Sequence, residues 1–357
     1  MKDKVIRIIV NPVSQINYSS FYLEGLKKVF EGRISYSFRP FRQISNSFKQ
    51  CLVFIIVTKD RNFNIAIDFH DSSEIQDVET LAWCDVYCKI NFNKIETLNK
   101  LMTKIKDENK LMQEMSKIKS IPPSFGIRSF GVFGSISMIC KLIFSKGIAQ
   151  SIRKKAVLSV LRAYIKRLPY SSYLDIKSDK AYVFHVSSIW NIDTKGINIS
   201  RANFIKSCKR NGAFDFEGGL VDIGYPYDYI EDIDEVFYRN RKISLEEYLK
   251  KTKESIFVFN GPSVMNCHGW KLGEYLAMGK AILSVPLSNE LPGVFENKKE
   301  IHIVEDSFEG ISEGITYIAE HPEYKKQLEK NALDYWDKYG KPDVVILNIL
   351  DYLNLQK

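Results

Sequence analysis

Short apolar runs alternate with helical patterns along this chain of 357 residues, and the alternation begins twice. The first part contains strand-like runs such as KVIRIIV and CLVFIIV, with the amphipathic pattern SSFYLEGLKKVF between them. After Tyr170 the alternation restarts with the apolar run AYVFHVSSIW. Alternating strands and helices are typical of an α/β fold, in which helices cover a sheet. The sequence therefore predicts two doubly wound α/β domains with a cleft between them.

The restart of the pattern sets the predicted domain boundaries. The N-terminal domain would cover residues 1–172 and include a basic segment, 138–168. The C-terminal domain would cover residues 173–340. Residues 341–357 would form a C-terminal helix, since the chain keeps a helical pattern on both sides of Pro342.

Two serine-containing stretches indicate where helices begin. Ser19 or Ser20 would lie near the cap of the first helix, because serine caps helix starts well. Further along, Ser244 is followed three residues later by Glu247, which fits a capping box.

The net charge of +8 is concentrated in one stretch. Residues 115–174 contain no Asp or Glu but eleven Lys or Arg. Apolar residues recur there at near-helical spacing, which predicts a basic amphipathic helix of the kind that lies on anionic membranes. An ordinary surface helix with a solvated charged face accounts for the same periodicity. The candidate membrane-surface residues are Arg153, Lys154, Lys155, Arg162, Lys166 and Arg167.

Other bulk features narrow the class of protein. The longest apolar run is about seven residues, too short to span a bilayer. Six scattered cysteines with no CxxC spacing favour a reduced, cytoplasmic protein. The chain lacks GxGxxG, GxxxxGK[ST] and GxSxG motifs and paired zinc-ligand spacing. The acidic run EDIDE (231–235) could hold a metal through its Asp-Ile-Asp pair, but a solvated loop explains it equally, and we expect no metal site.

The stretch GWKLGEYLAMGKAILSVPLSNELP (269–292) contains the clearest candidate site. It predicts a helix from Lys271 to Met278, ended by Gly279 and followed by a buried parallel strand. The helix start offers free N–H groups to a diphosphate, and Glu274 could accept two hydrogen bonds from a ribose diol. A plain surface pair between Lys271 and Glu274 is the structural alternative. Further donor-binding candidates in and around this stretch are Asn260, Asn266, His268, Gly269, Lys271, Ser288, Asn289 and Glu290.

A second candidate cluster follows the predicted strand NIAIDF in the N-terminal half. His70 and Asp71 would lie at the carboxyl end of that strand, where either could act as general base and the other could orient it. Alternatively, Asp71 or Ser72 would cap the next helix.

Residues 255–292 resemble the donor-binding region of GT-B glycosyltransferases, which have two Rossmann-like domains. Glutamate followed by YLAMGKAILS is similar to the pattern of bacterial exostosin-like and family-4-like enzymes of surface-polysaccharide (O-antigen or capsule) synthesis. The resemblance implies that Glu274 holds the donor ribose and that Arg201 and Lys206 clamp its diphosphate. Where family-4-like enzymes often carry another Glu, this chain has Asn266.

The resemblance also implies an activity. It would be metal-independent transfer of a sugar from a UDP- or GDP-linked donor to a glycan or lipid-linked glycan. No cofactor and no nucleic acid partner are expected, the C-terminal helix would cross back to the N-terminal domain, and the protein would lie on the inner face of the cytoplasmic membrane. The alternatives are a non-catalytic scaffold with this fold and a protein that binds a polyanion, either nucleic acid or membrane.

Overall fold

The computed structural model describes residues 5–44, 50–174, 180–191, 194–238 and 242–353. The chain divides into two compact units. The first unit comprises Met1–Tyr170, Asn289–Pro292 and Lys338–Lys357, and the second comprises Ser171–Ser288 and Gly293–Asp337. Strands and helices alternate in both units, which confirms the α/β class.

The first unit contains a six-stranded sheet with the strand order β2-β1-β3-β4-β5-β6. Its strands are β1 (Val5–Val10), β2 (Ile34–Tyr36), β3 (Cys51–Thr58), β4 (Asn62–Asp68), β5 (Val86–Lys89) and β6 (Ile118–Ser120). The pairs β1–β3 and β3–β4 are antiparallel and the others are parallel, so this sheet is mixed. Only residues 59–61 connect β3 to β4, a hairpin connection that is too short to join parallel strands.

Helices pack around this sheet. They are α1 (Ile16–Val29), α2 (Val78–Trp83), α3 (Lys94–Lys104), α4 (Glu108–Ser116), α5 (Val132–Phe144) and α6 (Gln150–Lys166). The predicted cap of α1 at Ser19 or Ser20 is wrong, because the helix begins at Ile16 and both serines are buried within it. The Ser20 hydroxyl instead accepts the backbone N–H of Ile127 (3.1 Å).

The basic segment folds into two helices, α5 and α6, where the sequence predicted one. They are separated at Gly147, whose φ of +88° is a conformation that glycine adopts without steric cost. The Arg153 guanidinium closes the turn between the helices by donating to the carbonyls of Ser145 (3.0 Å) and Ile148 (3.3 Å).

The second unit is built on parallel strands. They are β7 (Tyr182–Ser188), β8 (Asp215–Val221), β9 (Val258–Asn260), β10 (Ile282–Ser284) and β11 (His302–Ile303). The pair β7–β8 is parallel, as are the pairs in the sheet β11-β10-β9. The N–H of Ile256 donates to the carbonyl of Tyr182 (2.8 Å), which links the segment before β9 to β7.

Six helices surround these strands in the described part of the second unit. They are α7 (Lys195–Arg210), α8 (Ile233–Val236), α9 (Leu245–Glu254), α10 (Trp270–Ala277), α11 (Phe308–Glu320) and α12 (Pro322–Tyr335). Phe204 of α7 stacks on Phe259 of β9, with ring centroids 4.3 Å apart, at the centre of the core. The Ser244 hydroxyl accepts the N–H of Glu247 (3.1 Å), as the capping-box pattern predicted.

The last helix, α13 (Pro342–Tyr352), belongs to the first unit and packs against α1. The two helices approach so closely at Gly25 that a Cβ there would overlap the carbonyl oxygen of Pro342. In the described ranges, no helix has both the length and the apolar composition needed to cross a membrane.

Candidate functional site

Helix α10 leads from a polar loop into the buried strand β10, as the sequence predicted. Its first turn follows Gly269, and no side chain caps it. It ends before Gly279, whose φ of +60° is the left-handed conformation that terminates helices. Because β7, β9 and β10 are parallel to their partners, their carboxyl ends place polar groups close to the start of α10.

Two cationic side chains converge on the carboxyl end of β7. Lys271 donates through Nζ to the carbonyl of Val186 (2.8 Å) and to the hydroxyl of Ser187 (3.0 Å). From α7, Arg201 donates through Nη1 to the carbonyl of Ser188 (3.0 Å). Within the described part of the chain, neither cation forms an ion pair with a carboxylate. We call Arg201 and Lys271 the cation pair.

The surroundings of the cation pair disfavour its positive charge. Burial and the nearby Arg201 lower the pKa of Lys271 to about 7, although Glu274 opposes this shift. Burial also lowers the pKa of Arg201 to about 10. Burial, together with both cations, holds the pKa of His185 well below its usual value. An anion placed here would therefore relieve an existing electrostatic cost.

In the part of the second unit that the structure describes, two cavities adjoin the carboxyl end of β7. One of about 180 Å³ lies beside the cation pair and is lined by His185, Gly261 and Trp270, among others. The other, of about 610 Å³, is mostly apolar and is lined by Val221, Tyr238 and Tyr248, among others.

Glu274 is buried one turn deeper in α10. Its carboxylate accepts a hydrogen bond from the Tyr248 hydroxyl (3.3 Å), so it adjoins a residue that lines the larger cavity. Burial raises the pKa of Tyr248 well above its usual value, so the phenol remains a donor. The alternative of a surface pair with Lys271 is wrong, because Glu274 is buried and the Lys271 ammonium donates to β7.

The structure does not bring Lys206 to this site. Lys206 lies on α7 one turn beyond Arg201, but its ammonium pairs with Asp232 (3.3 Å). It lines neither of the two cavities at β7. The cation next to Arg201 is Lys271, from a different helix, so the predicted clamp of Arg201 and Lys206 requires correction.

The other predicted donor-binding residues separate into two groups. Asn260, Asn266, His268 and Ser288 line a small cavity of about 40 Å³ in the second unit. The Asn260 amide also donates to the Ser284 hydroxyl (2.9 Å). Asn289 and Glu290 belong to the first unit, where the Glu290 carboxylate accepts the N–H of Lys94 (3.0 Å) at the start of α3.

In the first unit, His70 is held by a buried carboxylate, Asp68, which is not one of the predicted site residues. Asp68, the last residue of β4, accepts hydrogen bonds from His70 Nδ1 (2.9 Å) and from the His70 backbone N–H (2.8 Å). Its other oxygen accepts from the Tyr87 hydroxyl (2.7 Å) and the Lys89 ammonium (2.8 Å). Asp68 and Lys89 are directly paired in the parallel β4–β5 register.

These contacts keep Asp68 ionised, and they hold the His70 ring through its Nδ1 atom. Burial opposes ionisation of Asp68, but Lys89 and His70 hold its pKa well below its usual range. The predicted orienting role of Asp71 is not supported, since Asp71 is exposed and Asp68 makes the bond to His70. Neither Asp71 nor Ser72 caps α2, because Asp77 accepts the N–H of Thr80 there (3.2 Å).

A signal for the missed residues was present in the sequence. Asp68 and Lys89 each stand inside an otherwise apolar strand pattern. A charged residue in a buried strand requires a partner, so the two could have been paired with each other. Across the described residues, no group of His, Cys, Asp and Glu side chains has the arrangement of a metal site, and this includes Asp232 and Asp234.

Sequence comparisons return no match to a protein-family profile and none to a curated protein. Solved structures similar to the chain include a glycosyltransferase from Rickettsia africae, at 12% identity and a TM-score of 0.41, covering 78% of this chain and 65% of that one. HepE of Anabaena, solved with UDP and glucose, is 13% identical, with a TM-score of 0.38 and coverage of 78% and 79%.

The N-terminal domain of Candida albicans trehalose-6-phosphate phosphatase is also similar, at 10% identity and a TM-score of 0.46, covering 94% of this chain and 68% of that domain. The chain thus spans just under two thirds of the Rickettsia africae structure. Similarities of this size do not define an activity.

Proposed function

We propose that this chain is a glycosyltransferase of GT-B type that binds a nucleotide-sugar donor in its second unit. The observation that carries the proposal is the cation pair, which lies at the carboxyl edge of parallel strands beside two cavities. Open α/β sheets bind ligands at this edge, and a doubly charged diphosphate matches two cations that form no ion pair with a carboxylate among the described residues.

The parts of the donor correspond to different parts of the site. Arg201 and Lys271 contact the diphosphate, and the uncapped start of α10 adds backbone N–H groups. Glu274 binds the ribose, and the larger, mostly apolar cavity next to Tyr248 accepts the base. The small cavity lined by Asn266, His268 and Ser288 provides polar contacts to the sugar.

The cation pair would stabilise the leaving group. When the bond between the sugar and the diphosphate breaks, negative charge develops on the departing nucleoside diphosphate. Fixed cations that face this charge lower the barrier, and no metal or other cofactor is needed for that role. UDP or GDP is the proposed nucleotide.

His70 is the proposed general base. Its Nδ1 is bound to Asp68, so Nε2 remains to take the proton of an acceptor hydroxyl. Asp68 positions the ring and stabilises the imidazolium that forms, while Lys89 balances the buried charge. A base at the acceptor corresponds to displacement with inversion at the anomeric carbon.

The proposed acceptor is a glycan or lipid-linked glycan of bacterial surface-polysaccharide synthesis, reached at the inner face of the cytoplasmic membrane. The support is the resemblance of residues 255–292 and the absence of acidic residues between 115 and 174. Lys154, Lys155, Arg162 and Lys166 are exposed on α6 and suit anionic lipids. Arg153 and Arg167 are half-buried, and Arg167 donates to Asn17 (2.9 Å).

Calorimetry with UDP, GDP, CMP and dTDP, without added metal, tests the donor site. We expect one nucleotide to bind, and Lys271→Met to weaken it by about 10- to 100-fold, the value of a charge-assisted hydrogen bond of about 1.5–3 kcal/mol. Glu274→Gln should weaken binding of the nucleoside diphosphate but leave binding of inorganic diphosphate unchanged. Equal affinity of wild type and Lys271→Met, or no binding of any nucleotide, would favour the scaffold.

The rate of sugar transfer from the bound donor tests whether His70 is the general base. We expect His70→Gln to lower the rate of sugar transfer to acceptors in a membrane extract by about a hundredfold or more, with donor affinity unchanged. Asp71→Asn is the matched control, and we expect it to retain most of the rate. The opposite ranking of these two variants would move the role of base to Asp71.

A further inference from the structure

Helix α5 exposes large apolar side chains on one face. Phe133 is 88% exposed and Phe144 is 79% exposed, and Ile136 and Ile143 lie on the same face at helical spacing. Its buried residues, Ser135, Met138 and Leu142, lie on the opposite face. Contiguous apolar exposure of this kind marks a surface that contacts another apolar phase.

Helix α6 packs against α5, and it also exposes large apolar side chains. Its buried face consists of Ala156, Ser159, Val160 and Ala163. Leu158, Leu161 and Ile165 are exposed, and they share their face with Lys154, Lys155 and Arg162. The larger apolar residues, which a water-soluble helix would bury, thus lie beside the cations in solvent.

The charges select the partner for these helices. No Asp or Glu occurs between residues 115 and 174, so a second copy of the same surface would bring like charges together. An anionic bilayer satisfies both features, because lysine and arginine stay at the head groups while apolar side chains enter the acyl boundary.

We propose that α5 and α6 form an interfacial docking surface that penetrates an anionic bilayer through Phe133, Phe144 and Ile165. This inference rests on the membrane part of the proposed function and adds the residues that penetrate and the mode of binding. Electrostatic contact alone is screened by salt, whereas apolar insertion persists at high salt. The proposed docking surface does not depend on which nucleotide the second unit binds.

Vesicle flotation at low and high salt tests the mode of binding. We expect the wild type to float with vesicles of phosphatidylcholine and phosphatidylglycerol at both salt levels, and less with phosphatidylcholine alone. Phe133→Ser with Phe144→Ser should lower binding at high salt by at least about tenfold. The matched control is Ile95→Ser with Met112→Ser, two exposed apolar residues on α3 and α4, and it should bind as the wild type does.

The exposed Cys140 on α5 allows a direct measurement of insertion. In a variant with Cys51→Ser and Cys267→Ser, an environment-sensitive dye on Cys140 should shift to shorter emission wavelengths with anionic vesicles. Loss of all wild-type binding at high salt, or no emission shift, would overturn penetration. Penetration would also be overturned if light scattering showed a dimer that Phe133→Ser dissociates. Nucleotide calorimetry on the double phenylalanine variant and on its matched control should match the wild type, which separates failure here from failure of the donor site.

Discussion

The charged residues at the end of β4 and those at the end of β7 differ in how their charge is balanced. In the first unit, the Asp68 carboxylate accepts hydrogen bonds from His70, Tyr87 and Lys89. In the second unit, the acceptors of the cation pair among the described residues are neutral carbonyl and hydroxyl groups. A charge that is largely removed from water is stable when paired, so the first group is complete, whereas the half-buried cation pair provides a place for an anion from outside the chain.

Removing one member of the balanced group should have the largest effect on stability. Lys89→Met would leave Asp68 buried without its main counter-ion, and we expect a loss of about 3–5 kcal/mol in the free energy of unfolding. Urea denaturation of the two proteins at neutral pH measures this difference. Lys104→Met, which removes a half-exposed pair with Glu74, is the control and should change the free energy by about 1 kcal/mol or less. Equal losses in both variants would remove the distinction between a complete buried group and a surface pair.

Because Lys271 of the cation pair has a lowered pKa, both stability and donor binding should depend on pH. The pKa of Lys271 is about 7 in the folded protein, below its usual value of 10.5. Between these values the unfolded chain binds more protons, so this residue makes the ligand-free protein more stable as pH rises. Donor binding should change in the opposite direction, weakening by about fivefold from about pH 7 to pH 8 as Lys271 loses its charge.

Calorimetry in buffers of different ionisation enthalpy checks this sign, since donor binding near pH 8 should take up a proton. Lys271→Met is the control, and it should show neither the uptake nor the additional pH dependence. Proton release in the wild type, or unchanged uptake in Lys271→Met, would contradict the assignment.

The smallest effect is expected at Lys206, a cation with a carboxylate partner. Lys206→Met removes an ion pair whose Asp232 side chain is 68% exposed, so we expect a change in stability of about 1 kcal/mol or less. Donor affinity should not change, because the side chain lies outside both cavities at β7. If Lys206→Met weakened donor binding as much as Lys271→Met does, Lys206 would be part of the diphosphate clamp after all.

Local signals predicted well what depends on neighbouring residues. Gly279 ends α10 and Ser244 caps α9 because each acts within a few residues of its own position. The partner of Arg201 and the pairing of Asp68 with Lys89 depend on strand register and helix packing between residues far apart in sequence. Helical spacing also did not show which side of α6 faces the core, since Leu158, Leu161 and Ile165 are exposed whereas Ala156 and Ala163 are buried.

The placement of α13 has a consequence for the order in which the protein forms during synthesis. All residues of the second unit precede Lys338, whereas the first unit needs α13, which packs on α1 at Gly25. A growing chain can therefore complete its second unit while the first still lacks a helix, although domains usually fold in the order in which they are made. The first unit is thus completed later than the second, and a chain that stops before residue 342 would leave α1 with one side uncovered.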